Sequence, residues 1–114
     1  MTKILLVDGT NAVQPFLGEM LQQSGKVTHF ETAGKALHAV KRGLPLDVAV
    51  LHYRLSLTPL IQAIRHEQPQ ARIVCYGAPR PDTPLGVDQY LNQPLLSAEL
   101  RTAVEKHRSR RREN

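Results

Sequence analysis

The sequence predicts an α/β domain in which a parallel sheet is covered by helices on both faces, a doubly wound three-layer fold. Short apolar runs alternate along the chain with segments whose apolar residues recur at helical spacing. The central run, residues 47–52 (DVAVLH), has four consecutive apolar residues, which is typical of a strand buried on both faces of a sheet. The length of 114 residues corresponds to one domain.

Two strand–helix units occupy the first part of the chain. The first strand spans residues 3–7, and the first helix follows it with its apolar residues on one face: Val13, Phe16, Leu17, Met20 and Leu21. Thr10 or Asn11 is expected to cap this helix, and Gly25 to end it in a left-handed conformation. A second strand is predicted over residues 27–30, and a second helix around residues 36–40 ends at Gly43.

Three further units are predicted after the central strand. Thr58 is expected to be the N-cap of the third helix, with Pro59 in its first turn and its end near Pro69. Strands are predicted over residues 72–76 and 87–91, and Ser97 caps a last helix. The fourth helix is predicted to be shortened or absent, because the segment between these strands contains three prolines: Pro79, Pro81 and Pro84.

The positive charge lies mostly at the end of the chain. Of the formal +5, residues 106–114 carry +4, because they contain five Lys or Arg against one Glu. We therefore expect a domain over residues 1–108 and a basic tail or linker over 109–114. Contact with nucleic acid is expected only through this tail or through an appended domain.

No apolar run approaches the roughly 20 residues that span a bilayer, so no membrane contact is expected. The start of the chain leads into a strand rather than a signal peptide. The single cysteine, Cys75, lies within the apolar IVCY and is expected to be a buried structural thiol. These features favour a cytoplasmic location.

Four segments carry a resemblance to a known family: KILLVDG at the first strand, LDVAVLHYRLS around the third, IVCYGA at the fourth, and GVDQYLNQP before the last helix. They resemble the response-regulator receiver domains of two-component, or phosphorelay, signalling. The resemblance covers nearly the whole chain. It implies a flavodoxin-like sheet with strand order 2-1-3-4-5, an aspartate that accepts phosphate at the end of the third strand, and Mg²⁺ held by acidic residues.

Most of the positions that carry receiver chemistry are changed. His52 stands where the family has the phosphoacceptor, Gly9 replaces an acidic metal ligand, Gly77 replaces a hydroxyl residue, and Gln93 replaces a lysine. Asp8 is the only remaining acidic ligand. One carboxylate is a poor site for Mg²⁺, so we expect no cofactor, no enzymatic activity and a degenerate "pseudo-receiver" pocket.

Two interpretations of this pocket stay open. In the first, Asp8, His52 and Gln93 close a permanently unphosphorylated pocket, with a hydrogen bond from His52 to Asp8 fixing the imidazole tautomer. In the second, the three residues are structural: His52 is a hydrogen-bonded core histidine, Asp8 caps the first helix, and Gln93 satisfies loop carbonyls.

Tyr90 matches an aromatic that reports the phosphorylation state on the fifth strand of receivers. With the fourth helix reduced, apolar surface around Leu85 and Tyr90 is expected to form a patch for protein docking or self-association. A solvated tyrosine without a partner is the alternative.

We therefore expect a regulatory module that acts through contacts with a protein partner or an output domain, with a homodimer as an option. A conventional phosphorelay receiver is one alternative, although it requires an acid at position 52. A flavodoxin-like small-molecule binder is another, although its phosphate loop would need more than Thr10 and Asn11.

Overall fold

A five-stranded parallel sheet with the order β2-β1-β3-β4-β5 organises the chain, and this order confirms the predicted topology. The computed structural model describes residues 2–8, 14–52, 57–77, 87–92 and 101–105. The strands are β1 (Lys3–Val7), β2 (Lys26–Phe30), β3 (Val48–His52), β4 (Arg72–Gly77) and β5 (Gln89–Asn92).

The first three connections between the strands contain helices, as is usual between parallel strands. The helices are α1 (Gln14–Gln22), α2 (Ala33–Lys41) and α3 (Thr58–Glu67), and residues 101–105 are also helical.

Two apolar clusters cover the two faces of the sheet. Successive strand residues point to opposite faces, so β3 contributes Ala49 and Leu51 to one cluster and Val48 and Val50 to the other. The first cluster includes residues of α2 and α3, and the second includes residues of α1 and of the helical segment 101–105. All five residues of β3 are buried, which confirms that this strand lies at the centre of the fold.

The predicted N-cap of α3 is wrong by one residue. Leu57 is the N-cap and makes no side-chain capping bond, while Thr58 is already helical and is followed by Pro59 in the first turn. Leu57 is buried in the core, so packing rather than capping sets this helix start. Thr32 does cap α2, because its Oγ1 accepts a hydrogen bond of 3.1 Å from the backbone N–H of Lys35.

The fifth strand begins later than predicted, at Gln89. Asp88 sets this boundary, since its Oδ2 accepts hydrogen bonds from the Ile73 backbone N–H at 2.7 Å and from Arg65 of α3 at 2.6 Å. Asp88 therefore links β4 to α3 at the position just before β5 begins to pair with β4.

Gly43 and Gly25 serve different purposes. Gly43 has φ of +99° and ends α2 in the conformation that favours glycine, as predicted. Gly25 does not have a positive φ, so the predicted left-handed stop is wrong there. A Cβ on Gly25 would lie 2.2 Å from the carbonyl oxygen of Thr2, so the glycine permits a close approach of two backbone segments instead.

We expect Gly25→Ala to lower the free energy of unfolding by about 1–3 kcal/mol, because the added methyl group forces the start of β1 to move. Gly18→Ala in α1 is the matched control. Its Cβ would meet nothing within 4 Å, and the better helix former should raise stability by about 0.5–1 kcal/mol. Urea denaturation of both variants measures the two effects. Equal effects of the two substitutions would contradict the close approach at Gly25.

Several predictions fall outside the described residues: capping by Thr10, Asn11 or Ser97, the reduced fourth helix, and the tail over 109–114. The boundary of the domain at residue 108 also stays a prediction. Within the ranges that the structure describes, no helix is both long enough and apolar enough to cross a membrane.

Candidate functional site

Three polar side chains meet where β1, β3 and β4 end. Asp8 directly follows β1, His52 is the last residue of β3, and Tyr76 is the next-to-last residue of β4. The sheet register places His52 beside Tyr76 on neighbouring strands. All three are buried, with exposed fractions of 0% for Asp8, 5% for His52 and 2% for Tyr76. This edge is the one at which doubly wound sheets place their ligand sites.

Tyr76 provides a hydrogen bond to the carboxylate of Asp8. Its hydroxyl group donates to Asp8 Oδ2, and its ring contacts the imidazole of His52 edge-on, with 5.0 Å between the ring centroids and 66° between the ring planes. Because a buried carboxylate without a hydrogen-bond donor is costly, this hydroxyl stabilises Asp8 in the interior. The three side chains therefore form one packed cluster.

The hydroxyl of Tyr76 is a donor at neutral pH. Burial of the side chain raises the pKa of Tyr76 well above its ordinary value, and the hydrogen bond to Asp8 and the negative charge of Asp8 raise this pKa further. A phenolate at this place would face a carboxylate in an interior with little water. The protonated form is therefore the one that the contact with Asp8 requires.

The backbone of Asp8 is held from the neighbouring strand β2. Nε2 of His29 donates to the carbonyl oxygen of Asp8 at 2.9 Å, and the N–H of Asp8 donates to the carbonyl oxygen of Phe30 at 3.1 Å. Because a carbonyl oxygen only accepts, the proton of the His29 imidazole is assigned to Nε2. These two bonds fix the residue from which the carboxylate projects.

The side chains at this edge do not fit Mg²⁺. This ion prefers several oxygen ligands in octahedral geometry, whereas position 8 supplies one carboxylate, and Tyr76 already donates to one of its oxygens. Position 9 is a glycine and position 52 a histidine, so neither adds a carboxylate. In the described part of the chain, no group of three or more His, Cys, Asp or Glu side chains is arranged to hold a metal ion.

The structure brings three of the predicted pocket residues to this edge. Asp8 and His52 lie there together, and Gly77 ends β4 and pairs with Asn92. Gly9, Gln93 and Leu85 lie outside the described residues. The predicted hydrogen bond between His52 and Asp8 stays a prediction. Tyr76 was not among the predicted pocket residues, because it belongs to the apolar segment IVCY that predicts a strand.

Tyr90 lies on the other face of the sheet. Tyr90, in β5, pairs with Cys75 of the neighbouring strand β4. Its side chain is partly buried and packs against the core cluster that includes residues of α3. Cys75 is fully buried, as predicted, and burial raises the pKa of its thiol to about 12.

The parallel order 2-1-3-4-5 with helices on both faces defines an open, doubly wound α/β protein of the flavodoxin-like class. Within that class, the chain has the fold of response-regulator receiver domains. The receiver protein of Sinorhizobium medicae superimposes with a TM-score of 0.81 at 24% identity, covering 93% of each chain. The CheY-like receiver domain of Methanospirillum hungatei gives a TM-score of 0.82 at 19% identity, covering 100% of this chain and 99% of the other.

A third similar structure is the receiver domain of a sensor histidine kinase from Pseudomonas aeruginosa, which was solved with a magnesium ion in its active-site cleft. It has a TM-score of 0.79 at 21% identity and covers 92% of this chain and 95% of its own. No protein-family model matches the sequence, and no curated protein matches it. At these identities the likeness establishes the fold, and function depends on the site.

Proposed function

We propose that this chain is a signalling module with a receiver fold that is not phosphorylated at position 52 and that acts through contacts with other proteins. The observation that carries the proposal is the contact between the hydroxyl of Tyr76 and the buried carboxylate of Asp8, beside His52. At the edge where receivers are modified, this chain has an internally satisfied cluster.

The chemistry of position 52 supports the proposal. Phosphorylation of a receiver forms an acyl phosphate on a carboxylate, and His52 has no carboxylate; a phosphoryl group on its ring would be a phosphoramidate, a different product. The side chain of His52 is also 95% buried and is packed against the ring of Tyr76. A phosphoryl donor therefore finds no carboxylate at position 52, and the buried imidazole of His52 is not accessible to it.

The same residues argue against a resident cation and against catalysis. Mg²⁺ would find a single carboxylate, one oxygen of which already accepts a hydrogen bond from Tyr76, and this is too little to compensate for the loss of its hydration. Receivers use this cation to assist transfer of the phosphoryl group. We therefore assign the module no cofactor and no enzymatic activity.

Protein contacts are the remaining route by which such a module can signal. Solved domains of this fold include one from a sensor histidine kinase, so a kinase, an output domain or a second copy of the chain is a candidate partner. The face around Tyr90 and Leu85 is the proposed docking surface. A cytoplasmic location belongs to the proposal, because the single thiol, Cys75, is a buried free cysteine.

Incubation with acetyl phosphate and Mg²⁺ tests the proposal directly. We expect the intact mass of the protein to stay unchanged, and its amide NMR signals to keep their positions when beryllofluoride and Mg²⁺ are added. A conventional receiver with aspartate at the phosphoacceptor position, treated in parallel, should gain a phosphoryl group and show large shifts.

A stoichiometric adduct on the wild-type chain would contradict the proposal and favour a conventional phosphorelay receiver. Peptide mapping would then identify the modified residue, and His52→Gln would distinguish modification of the imidazole from modification elsewhere. Shifts that depend on Mg²⁺ and converge on Asp8 would also contradict it, since they would place a cation at the carboxylate.

A further inference from the structure

An open groove of about 760 Å³ lies between helix α2 and the end of the edge strand β2, on the face of the sheet covered by α2 and α3, opposite to the face on which Tyr76 packs. Its apolar floor is formed by Phe30, Ala39 and Leu44, each of which is partly exposed. Gly34 also lines it, and a Cβ there would meet nothing within 4 Å. The groove therefore has room for side chains of another molecule.

The rim of this groove is basic. Lys35, His38 and Arg42 are exposed and lie at positions i, i+3 and i+7 of the helix, which places them along one side over about 10 Å. Nη1 of Arg42 donates a hydrogen bond of 3.5 Å to Nε2 of His38, which holds the guanidinium along this side of the helix. Among the described residues that line the groove there is no aspartate or glutamate.

Lys35 and Arg42 have no acidic partner elsewhere in the described part of the chain. The ion pair found there joins Arg65 and Asp88, and no carboxylate of the described residues lies within 4.0 Å of Lys35 or Arg42. The rim therefore carries two positive charges without a carboxylate of the described residues beside them, and an anionic ligand that enters the groove would pair with them.

We propose that this groove binds an acidic peptide segment of a partner protein, with apolar side chains against Phe30 and Leu44 and carboxylates against Lys35 and Arg42. Charge complementarity selects an anionic occupant, and the apolar floor selects one that also has hydrophobic side chains. The apolar side chains lie between α2 and the end of β2, where the individual side chains of a peptide can reach them. The site is separate from the docking face around Tyr90, so it adds a second contact to the proposed function.

Fluorescence anisotropy with a labelled synthetic peptide tests the inference. The probe alternates glutamate pairs with leucine and phenylalanine, and the comparison probe has lysine in place of every glutamate. We expect the full-length chain to bind the acidic probe, with an affinity that falls as salt is added, and to bind the basic probe much more weakly. The amide NMR signals that shift should belong to α2 and the end of β2.

Matched variants localise the binding. Lys35→Gln combined with Arg42→Gln should weaken binding about tenfold, equivalent to about 1.4 kcal/mol. Lys26→Gln combined with Lys41→Gln removes the same charge from exposed residues outside the groove and should leave the affinity unchanged. Gly34→Phe keeps every charge, fills the open space, and should also weaken binding about tenfold.

Because the basic residues of the segment 106–114 are present in every variant, their contribution is constant. Equal loss in both double variants would indicate attraction by net charge alone and would overturn the inference. Failure to bind the acidic probe, or binding only to phosphatidylserine vesicles, would overturn it as well. None of these results bears on phosphorylation at position 52, so this inference and the proposed function can fail independently.

Discussion

Tyr76→Phe is expected to lower the free energy of unfolding by about 2 kcal/mol, because it removes a hydrogen bond to a buried charged group. The substitution keeps the ring, so the contact with His52 and the packing against the core are retained. What changes is the environment of Asp8, whose buried carboxylate loses a donor that water cannot replace without opening the edge of the sheet. Chemical denaturation of the two proteins at neutral pH measures the difference.

A double-mutant cycle with Asp8→Asn separates this contact from other effects of the substitutions. The amide of Asn is neutral and its oxygen still accepts, so Tyr76→Phe in the Asp8→Asn background should cost about 1 kcal/mol or less. The coupling energy between positions 8 and 76 is then about 1 kcal/mol. Additive effects would show that the hydroxyl does not stabilise the charge on Asp8, and the observation that carries the proposed function would lose its energetic basis.

Stability is expected to fall steeply as pH rises above about 9, which is the second large effect. Burial raises the pKa of the Cys75 thiol from 9.0 to about 12, and burial together with Asp8 raises the pKa of Tyr76. Both groups are neutral when protonated. The unfolded chain loses these protons at lower pH than the folded chain, so alkaline solution favours the unfolded state.

The size of this effect follows from linkage. The stabilisation from Cys75 is complete below the ordinary thiol pKa of 9.0 and is lost as pH rises toward about 12. At about 1.4 kcal/mol per pH unit for one proton, the thiol alone accounts for about 4 kcal/mol over this window. Tyr76 adds a second proton above about pH 10, where the unfolded phenol ionises.

Urea denaturation from about pH 8 to about pH 10 measures the slope of the unfolding free energy with pH. Cys75→Ala is the control, because it lacks the thiol but keeps every lysine and arginine that titrates in this range. The unfolding free energy of Cys75→Ala should fall less steeply with pH than that of the wild type. The difference corresponds to about half a proton at pH 9 and approaches one proton by about pH 10. Parallel slopes for the two proteins would show that the thiol ionises as readily in the folded chain as in the unfolded one.

The sequence predicts the sheet well because its signals are local. An apolar run such as residues 48–51 identifies a buried strand without reference to any other part of the chain. The alternation of strands with helical periodicity predicts a parallel, doubly wound sheet, and the strand order follows from the resemblance to receivers. The role of Gly25 could not be predicted from its neighbours in the sequence. A glycine after a helix usually indicates a left-handed end, whereas here the requirement comes from Thr2, a residue of another segment.

The candidate site was predicted in part for the same reason. Asp8 and His52 were identified by their positions in the segments that resemble receivers, whereas Tyr76 was predicted only as the last residue of a strand. The parity of β4 could have indicated it, since Tyr76 lies on the same face as Val74, in the cluster that includes Val48 and Val50. The contact between the rings of Tyr76 and His52 depends on the register of β3 and β4, which sets the two residues side by side. The sequence pattern does not determine that register.

The partner of the Asp8 carboxylate belongs to the same polypeptide. A site whose partner is a dissolved ion or a phosphoryl group is filled to an extent that depends on the concentration of that solute, and it therefore works as a sensor. The hydroxyl of Tyr76 is present at a constant ratio of one to one whenever the chain is folded. For a module of the kind proposed here, the cell can then adjust the signal only by changing how much of the protein is present, or which binding partners accompany it.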